Sequence, residues 1–217
     1  MLSIKDVCFS FGHQEIFNGL TFELKRGNYL VISGSDRAGK TTLVKMLTAM
    51  ILPDSGEILI DGEFLDEIAR SKTRIRKLRQ KIGGVGGVFS LLNDRTILEN
   101  VSLSAEICGI PARKARKYAV EACCKFRLSH VMSYYPDAVS KVEQRMALLA
   151  RAAAARKELI IADAPTDGLD ESAAGFINER LQALRLSGIS ILYLTTGPGP
   201  QSGPDEYLHL KAGRVDK

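Results

Sequence analysis

The stretch Gly34-Ser35-Asp36-Arg37-Ala38-Gly39-Lys40-Thr41 fits the pattern G-x-x-x-x-G-K-[ST], which works only where a buried strand runs into the first turn of a helix. The flanks supply that junction. Residues 29–33 (YLVIS) form a short, nearly all-apolar run that suits a buried parallel strand, and residues 41–50 read as a helix. Successive backbone N–H groups and the helix N-terminus make a pocket for an anion. Lys40 adds a point charge for the outer phosphates of a nucleotide, and Thr41 offers a hydroxyl to Mg²⁺. Asp163, closing the apolar run LIIAD, is placed to hold the same ion through a water. The candidate phosphate-binding set is therefore Gly34, Ser35, Asp36, Arg37, Ala38, Gly39, Lys40, Thr41 and Thr42, with Thr41 and Asp163 as the metal pair. Two of these residues are unusual. Asp36 brings a negative charge toward phosphates, and Arg37 stands where many such loops carry glycine, either under backbone strain or as an extra cation.

The rest of the pattern extends this junction into an α/β fold. Leu2, Ile4, Val7, Phe9 and Phe11 nearly alternate, which predicts a strand over residues 2–11; residues 21–24 predict a second. Residues 57–60, between two turn signals, read as part of a small antiparallel sheet. Residues 91–156 are mostly helical in pattern, 159–162 (LIIA) and 189–194 (ISILYL) are strands, 171–186 is a helix, and 206–215 is a hairpin across Ala212-Gly213. Strands alternating with helices imply a parallel sheet, here interrupted by a helical insertion.

The 217 residues, 45% hydrophobic and 25% charged, suit one α/β domain with a substantial core. No apolar run reaches membrane-spanning length, and MLSIKDV lacks the basic-then-apolar order of a signal peptide, so the expectation is a cytoplasmic chain. Cys8, Cys108, Cys123 and Cys124 form no C-x-x-C pair, which fits free thiols better than a metal site. Part of the net charge of +5 lies in residues 70–81, RSKTRIRKLRQK. Such a run reads either as a surface for lipid or nucleic-acid phosphates or as a solvated helix face. It has no interleaved aromatics, and no nucleic-acid partner is expected.

Over its whole length the chain resembles an ABC-type ATPase domain. Beyond the loop, the resemblance rests on Pro165-Thr166-Asp167-Gly168-Leu169-Asp170 and on Leu91-Leu92-Asn93-Asp94-Arg95-Thr96-Ile97-Leu98-Glu99-Asn100-Val101. The latter is similar to the LLxDRTxxxNV stretch of the cell-division ATPase FtsE and its lipoprotein-export and MacB-type relatives. The resemblance implies a single nucleotide-binding domain over residues 1–217: a P-loop NTPase (RecA-like) core, an antiparallel β-subdomain, and a helical subdomain at about 91–156. It implies ATP and Mg²⁺ as ligands, with Phe11 stacking on adenine. It also implies a head-to-tail homodimer, or heterodimer with another ABC domain, sandwiching two nucleotides. The expected partner is an integral membrane subunit, FtsX-like or an ABC permease, which would hold the chain peripherally on the inner face of the plasma membrane.

The departures from the family pattern fall on the groups that handle water. Where the family has a glutamate after the Walker B aspartate, this chain has Ala164; the switch histidine is replaced by Thr196, and the Q-loop glutamine falls on Gly87. The signature L-S-G-G-x-Q reads Val139-Ser140-Lys141-Val142-Glu143-Gln144, without either glycine. Losing a general base alone costs roughly 10²–10⁴-fold in rate. The expectation is an ATP-binding, nucleotide-gated or structural subunit with little or no hydrolysis; the alternative is a slow but genuine ATPase driving an FtsX-like or lipoprotein-export partner.

Overall fold

A computed structural model describes residues 1–216. Strands β1 (Leu2–Phe11) and β2 (Gln14–Leu24) lead into β3 (Tyr29–Gly34), the glycine-rich loop and α1 (Lys40–Leu47). Next come β4 (Ser55–Ile60), β5 (Glu63–Phe64), α2 (Leu65–Ala69), α3 (Lys72–Lys81) and β6 (Ile82–Gly86). Helices α4 (Ile97–Ile107), α5 (Ala112–Lys125) and α6 (Lys141–Ala154) precede β7 (Leu159–Asp163), α7 (Glu171–Leu186) and β8 (Ser190–Thr195). A final hairpin pairs β9 (Glu206–Lys211) with β10 (Arg214–Asp216).

Two sheets result. The larger has the order β10-β9-β3-β8-β7-β6, and the smaller the order β2-β1-β4-β5. Strands β9, β3, β8, β7 and β6 are mutually parallel, whereas the smaller sheet is antiparallel. The inner strands β3, β7 and β8 bury residues on both faces, as a sheet covered on two sides requires. Their alternation separates two cores. Leu30, Ile32, Leu159, Ile161, Leu192 and Leu194 pack toward α1 and the smaller sheet. Tyr29, Val31, Ile160, Ala162, Ile191 and Tyr193 pack toward the helices α4 to α7. The helices begin where side chains supply caps. Thr96 and Glu99 form a capping box on α4, Ser140 and Glu143 form another on α6, and Asp170 accepts from the Ala173 amide at α7.

Several sequence boundaries need correction. The first helix starts at Lys40 and stops at Leu47 rather than running over 41–50. Thr48 bonds its hydroxyl back to the Val44 carbonyl (2.8 Å), and Ala49 turns to φ 51°, which a continuing helix does not permit. Strand β2 runs from Gln14 rather than from residue 21; its first half lost clean alternation because its pairing with β1 shifts register. Strand β6 was not anticipated at all, since three of its five residues are glycine.

Candidate functional site

Parallel pairing brings the carboxyl ends of four strands into one row. Ser33 of β3 lies beside Thr195 of β8, Leu194 beside Asp163 of β7, and Asp163 beside Gly86 of β6. This edge is where an open α/β sheet binds its ligands. The loop over residues 34–41 leaves β3 here. It folds back on itself through an Ala38 amide bond to the Ser35 carbonyl (3.1 Å), with Arg37 at φ 65° and Gly39 at φ 101°. Arg37 thus takes the left-handed conformation that glycine adopts without cost, and its side chain stays exposed with those of Ser35 and Asp36. A β-carbon on Gly39 would stand 2.7 Å from the Phe17 ring and 2.8 Å from Ile16, so only glycine lets the loop seat on the antiparallel sheet.

Lys40 and Asp163 set the electrostatics. Lys40 is 8% exposed, and its Nζ donates to the carbonyls of Gly34 (2.6 Å) and Ser35 (2.8 Å), curling over its own loop. Burial pushes its pKa down, against the opposing pull of Asp36, Asp163 and Asp167. Asp163 is 4% exposed, and its Oδ2 has no hydrogen-bond partner among the described residues. Burial raises its pKa, Lys40 opposes that rise, and Asp167 adds to it. A buried carboxylate with an unsatisfied oxygen beside an ammonium is costly unless a cation or donor completes it. The amides of Gly39, Lys40, Thr41 and Thr42 likewise have no acceptor among the described residues. Unsatisfied amides for an anion and an unsatisfied carboxylate for a cation fit a phosphate–Mg²⁺ pair, with the exposed Thr41 hydroxyl at the helix start.

Phe11 ends β1 in the antiparallel sheet, half-exposed and edge-on to Phe9 at 4.8 Å between ring centroids. The sheet reaches the loop at Gly39 through Ile16 and Phe17.

The altered positions lie along the same row. Ala164 follows Asp163 at φ 51°, its amide tied to the Leu194 carbonyl (2.9 Å). Thr196 is exposed just beyond β8. Gly87 follows β6 at φ 52°, and a β-carbon there would overlap the Asp163 carboxylate, standing 2.6 Å from its Cγ. Gly86, at φ 76°, closes with equal tightness on the Asp163 carbonyl. The chain then turns so that the Phe89 ring covers Gly84. The β6 glycines therefore let a loop press onto the aspartate that a bulkier sequence would hold away.

Ser140 starts α6, with its hydroxyl and amide both bonded to Glu143 (2.7 Å each), while His130 meets the other carboxylate oxygen at 2.8 Å. Lys141 is exposed, and Val142 packs against the helical core. Sequence reasoning stopped at Gln144 and missed Arg145, whose guanidinium donates to the carbonyls of Pro165 and, at 2.6 Å, Asp167. That arginine ties α6 to the segment after Asp163; its place one residue past the signature was the available signal.

A family model described as ABC transporter matches residues 17–167. The chain belongs to the ABC transporter family. Among its relatives, the L-cystine import ATP-binding protein TcyC of Bacillus subtilis is 32% identical over 218 residues, covering 99% of this chain and 88% of that protein. The methionine import ATP-binding protein MetN of Rhizobium johnstonii is 34% identical over 217 residues, and this ABC domain spans 59% of its length. An ATP-binding cassette solved as a dimer in a post-hydrolysis state, bound to ADP and Pi, superposes with a TM-score of 0.88 at 25% identity, covering 100% of this chain and 97% of that one. No helix among the described residues is long and apolar enough to cross a membrane.

Proposed function

We propose that this chain is the ATP-binding subunit of a membrane ABC complex of the FtsE-like kind, holding ATP-Mg²⁺ with little or no hydrolysis and acting as a nucleotide-gated or structural subunit. One observation carries this reading: the anion cradle and its facing carboxylate are intact, while each neighbouring water-handling position on the same sheet edge holds Ala164, Gly87 or Thr196. The amides of residues 39–42 and the Lys40 ammonium would bind the phosphates, with Arg37 beside them. Thr41 and Asp163 would hold Mg²⁺, which neutralises charge between the outer phosphates when bound. Phe11 would offer its exposed ring to the base. None of Ala164, Gly87 and Thr196 carries a group basic enough to take a proton from water, so these positions supply no general base for an attack.

We read residues 1–217 as one nucleotide-binding domain whose helical part, about 91–156, meets the membrane subunit, FtsX-like or another ABC permease. A cleft of about 380 Å³ between that part and the nucleotide-binding core supports the reading. Leu92, Met50 and Ile107 line it and remain 43%, 53% and 47% exposed, an apolar surface a partner would cover. The relatives' names cover import and export alike, so the substrate is left unassigned. Dimerisation, with itself or another ABC domain, follows from the dimeric structural relative.

The deciding experiment is calorimetry with ATP-Mg²⁺ alongside phosphate release from the chain reconstituted with its membrane partner. Binding clearly weakened by Lys40→Ala, with turnover near the uncatalysed background, is the expected result. Family-typical turnover would replace this reading with a working ATPase.

A further inference from the structure

A second cavity lies across the large sheet from the nucleotide site. Residues 26, 156–158 and 187–189 precede β3, β7 and β8 at their amino ends, whereas Asp163 and the phosphate loop lie at the carboxyl ends. With the ends of α5 and α6 and one face of α7, these residues enclose about 620 Å³. That volume falls in the range of small-molecule sites. The walls come from the helical part of the chain and from the core alike, and the docking cleft shares with them only the buried Lys157.

The lining is electrostatically one-sided. Arg26, Lys125, Arg156, Lys157 and Arg180 are basic, and Glu158 is the one carboxylate among the lining residues. Arg26 neutralises that carboxylate at 2.7 Å and holds Asp61 at 2.7 Å. Lys157 is 7% exposed and directs its ammonium to the carbonyls of Gln80 (2.7 Å) and Arg79 (3.4 Å). Lys125, Arg156 and Arg180 remain. Lys125 and Arg156 are exposed and have no carboxylate partner among the described residues. Arg180 meets only its exposed helix neighbour Glu179, at 3.6 Å, and its Nε is buried with no acceptor among the described residues. Aromatic faces rather than acids hold both guanidiniums. Arg156 lies 5.0 Å from the centre of the Tyr118 ring, and Arg180 lies 4.9 Å from that of Phe176. Their charges are thus fixed in place without being neutralised. The carbonyls that end the three helices do not absorb them, because the amides of residues 126–128, 155–157 and 187–189 take most of those carbonyls. The floor is apolar: Phe126 and Leu184 are buried, and Ala153 and Ile189 are half-buried.

We propose that this cavity binds a small organic anion, one acid group on an apolar body, as a ligand separate from ATP. The acid group accepts from the Arg180 Nε and lies among the charges of Lys125 and Arg156, while the body covers Phe126, Leu184 and Ile189. An inorganic anion would meet the same cations but leave the floor in water. An uncharged apolar molecule would leave the Nε without an acceptor, which is costly for a buried donor. The site depends on neither the nucleotide-binding nor the docking reading.

The test is fluorescence titration of the intact chain with 8-anilinonaphthalene-1-sulfonate, an aromatic sulfonate that brightens in apolar surroundings. Saturable binding is expected, displaced by sub-micellar decanoate but not by sulfate at matched ionic strength. Arg180→Gln should weaken it about tenfold, the size of a lost hydrogen bond from a charged group. Lys125→Ala should weaken it roughly threefold, as removal of one exposed charge does. Urea midpoints check that both variants keep the fold, and Lys125→Ala decides alone if Arg180→Gln does not fold. Absence of saturable binding, displacement by sulfate as effective as by decanoate, or unchanged affinity in a folded variant overturns the proposal. An equal loss in Leu92→Glu would put the dye in the docking cleft, and displacement by ATP-Mg²⁺ would put it in the nucleotide site. Either result overturns the proposal and leaves the proposed function standing.

Discussion

Replacing Gly87 with glutamine restores the family residue on paper, yet the structure predicts that it damages this chain. Gly87 sits at φ 52°, where a residue with a β-carbon costs about 1–2 kcal/mol. The new β-carbon would also stand 2.6 Å from Cγ and 2.8 Å from Cβ of Asp163, well inside van der Waals contact. Asp163 is packed at 4% exposure at the end of a buried strand and has little room to turn. The alternative is for the segment after β6 to lift, breaking the Gly86–Phe89 bridge and uncovering the Phe89 ring from Gly84. Partial exposure of a phenylalanine adds about 1–2 kcal/mol, so the expected total is roughly 2–4 kcal/mol. Urea unfolding of the nucleotide-free protein measures it, with Gly87→Ala as the companion that carries the same β-carbon without the amide. Both variants should lose comparable stability, and phosphate release should not rise in the glutamine variant. A loss below about 0.5 kcal/mol in both, the scatter of an ordinary surface change, would refute the claim that the loop is built around Asp163.

Lys40→Ala should weaken ATP-Mg²⁺ binding by roughly ten- to a hundredfold in calorimetry, the worth of hydrogen bonds from a charged group. Ala164→Glu alone should leave turnover near background in a phosphate-release assay, because Gly87 and Thr196 still leave the water unplaced. Asp163→Asn should stabilise the nucleotide-free chain at neutral pH. Burial raises the pKa of Asp163, so its contribution is fully present below the ordinary carboxylate range and is lost as pH rises through the folded value. Melting temperatures of the two proteins should therefore converge in acid and separate toward neutrality, and the reverse order would show that Lys40 already satisfies the carboxylate. Leu91→Ala should cost about 2–3 kcal/mol in urea, because Leu91 is 8% exposed. Leu92→Glu should leave stability nearly unchanged but abolish capture of the membrane subunit in a pull-down.

Legibility from the sequence followed locality. The phosphate loop was readable because its chemistry is contiguous and its neighbours, YLVIS and LIIAD, are apolar runs that fit only buried strands. Helix α7 was readable to the residue because Asp170 caps it and its apolar face repeats. Strand β6 was not, because Gly83 and Gly84 carry no side chain to reveal a face. Their reason lies in tertiary packing, against Ala152 and Phe89 respectively. The same holds for the site. Gly87 was read as a missing glutamine, but its closeness to Asp163 depends on β6 pairing with β7, which no local pattern announces. Leu91 and Leu92 looked alike as a pair, and only the fold separates the buried one from the exposed one.

The substitutions at the two halves of the proposed site have a common electrostatic sense. Ala164 removes a carboxylate from the phosphate side, while Arg37 and Lys141 each place a cation where the family carries glycine. Lys141 stands exposed in the first turn of α6, so a helix end that already favours anions gains a full positive charge. In a head-to-tail dimer that end would face the partner's nucleotide, and the lost backbone approach of two glycines would be exchanged for a longer, softer contact from one ammonium. Such contacts act on the phosphates of bound ATP and of its transition state alike, and binding that is equal in both states does not raise the chemical rate. A site changed in this direction would, on the proposed reading, hold nucleotide without committing it to cleavage. On the proposed reading, nucleotide arrival and departure rather than hydrolysis would then set how long the dimer stays closed, because a ligand shifts two states only through its differential affinity for them. Pairing with a fully competent partner would not escape this. Each composite site would still take one half from this chain, either the side with Ala164 and Gly87 or the side with Lys141 and Val142.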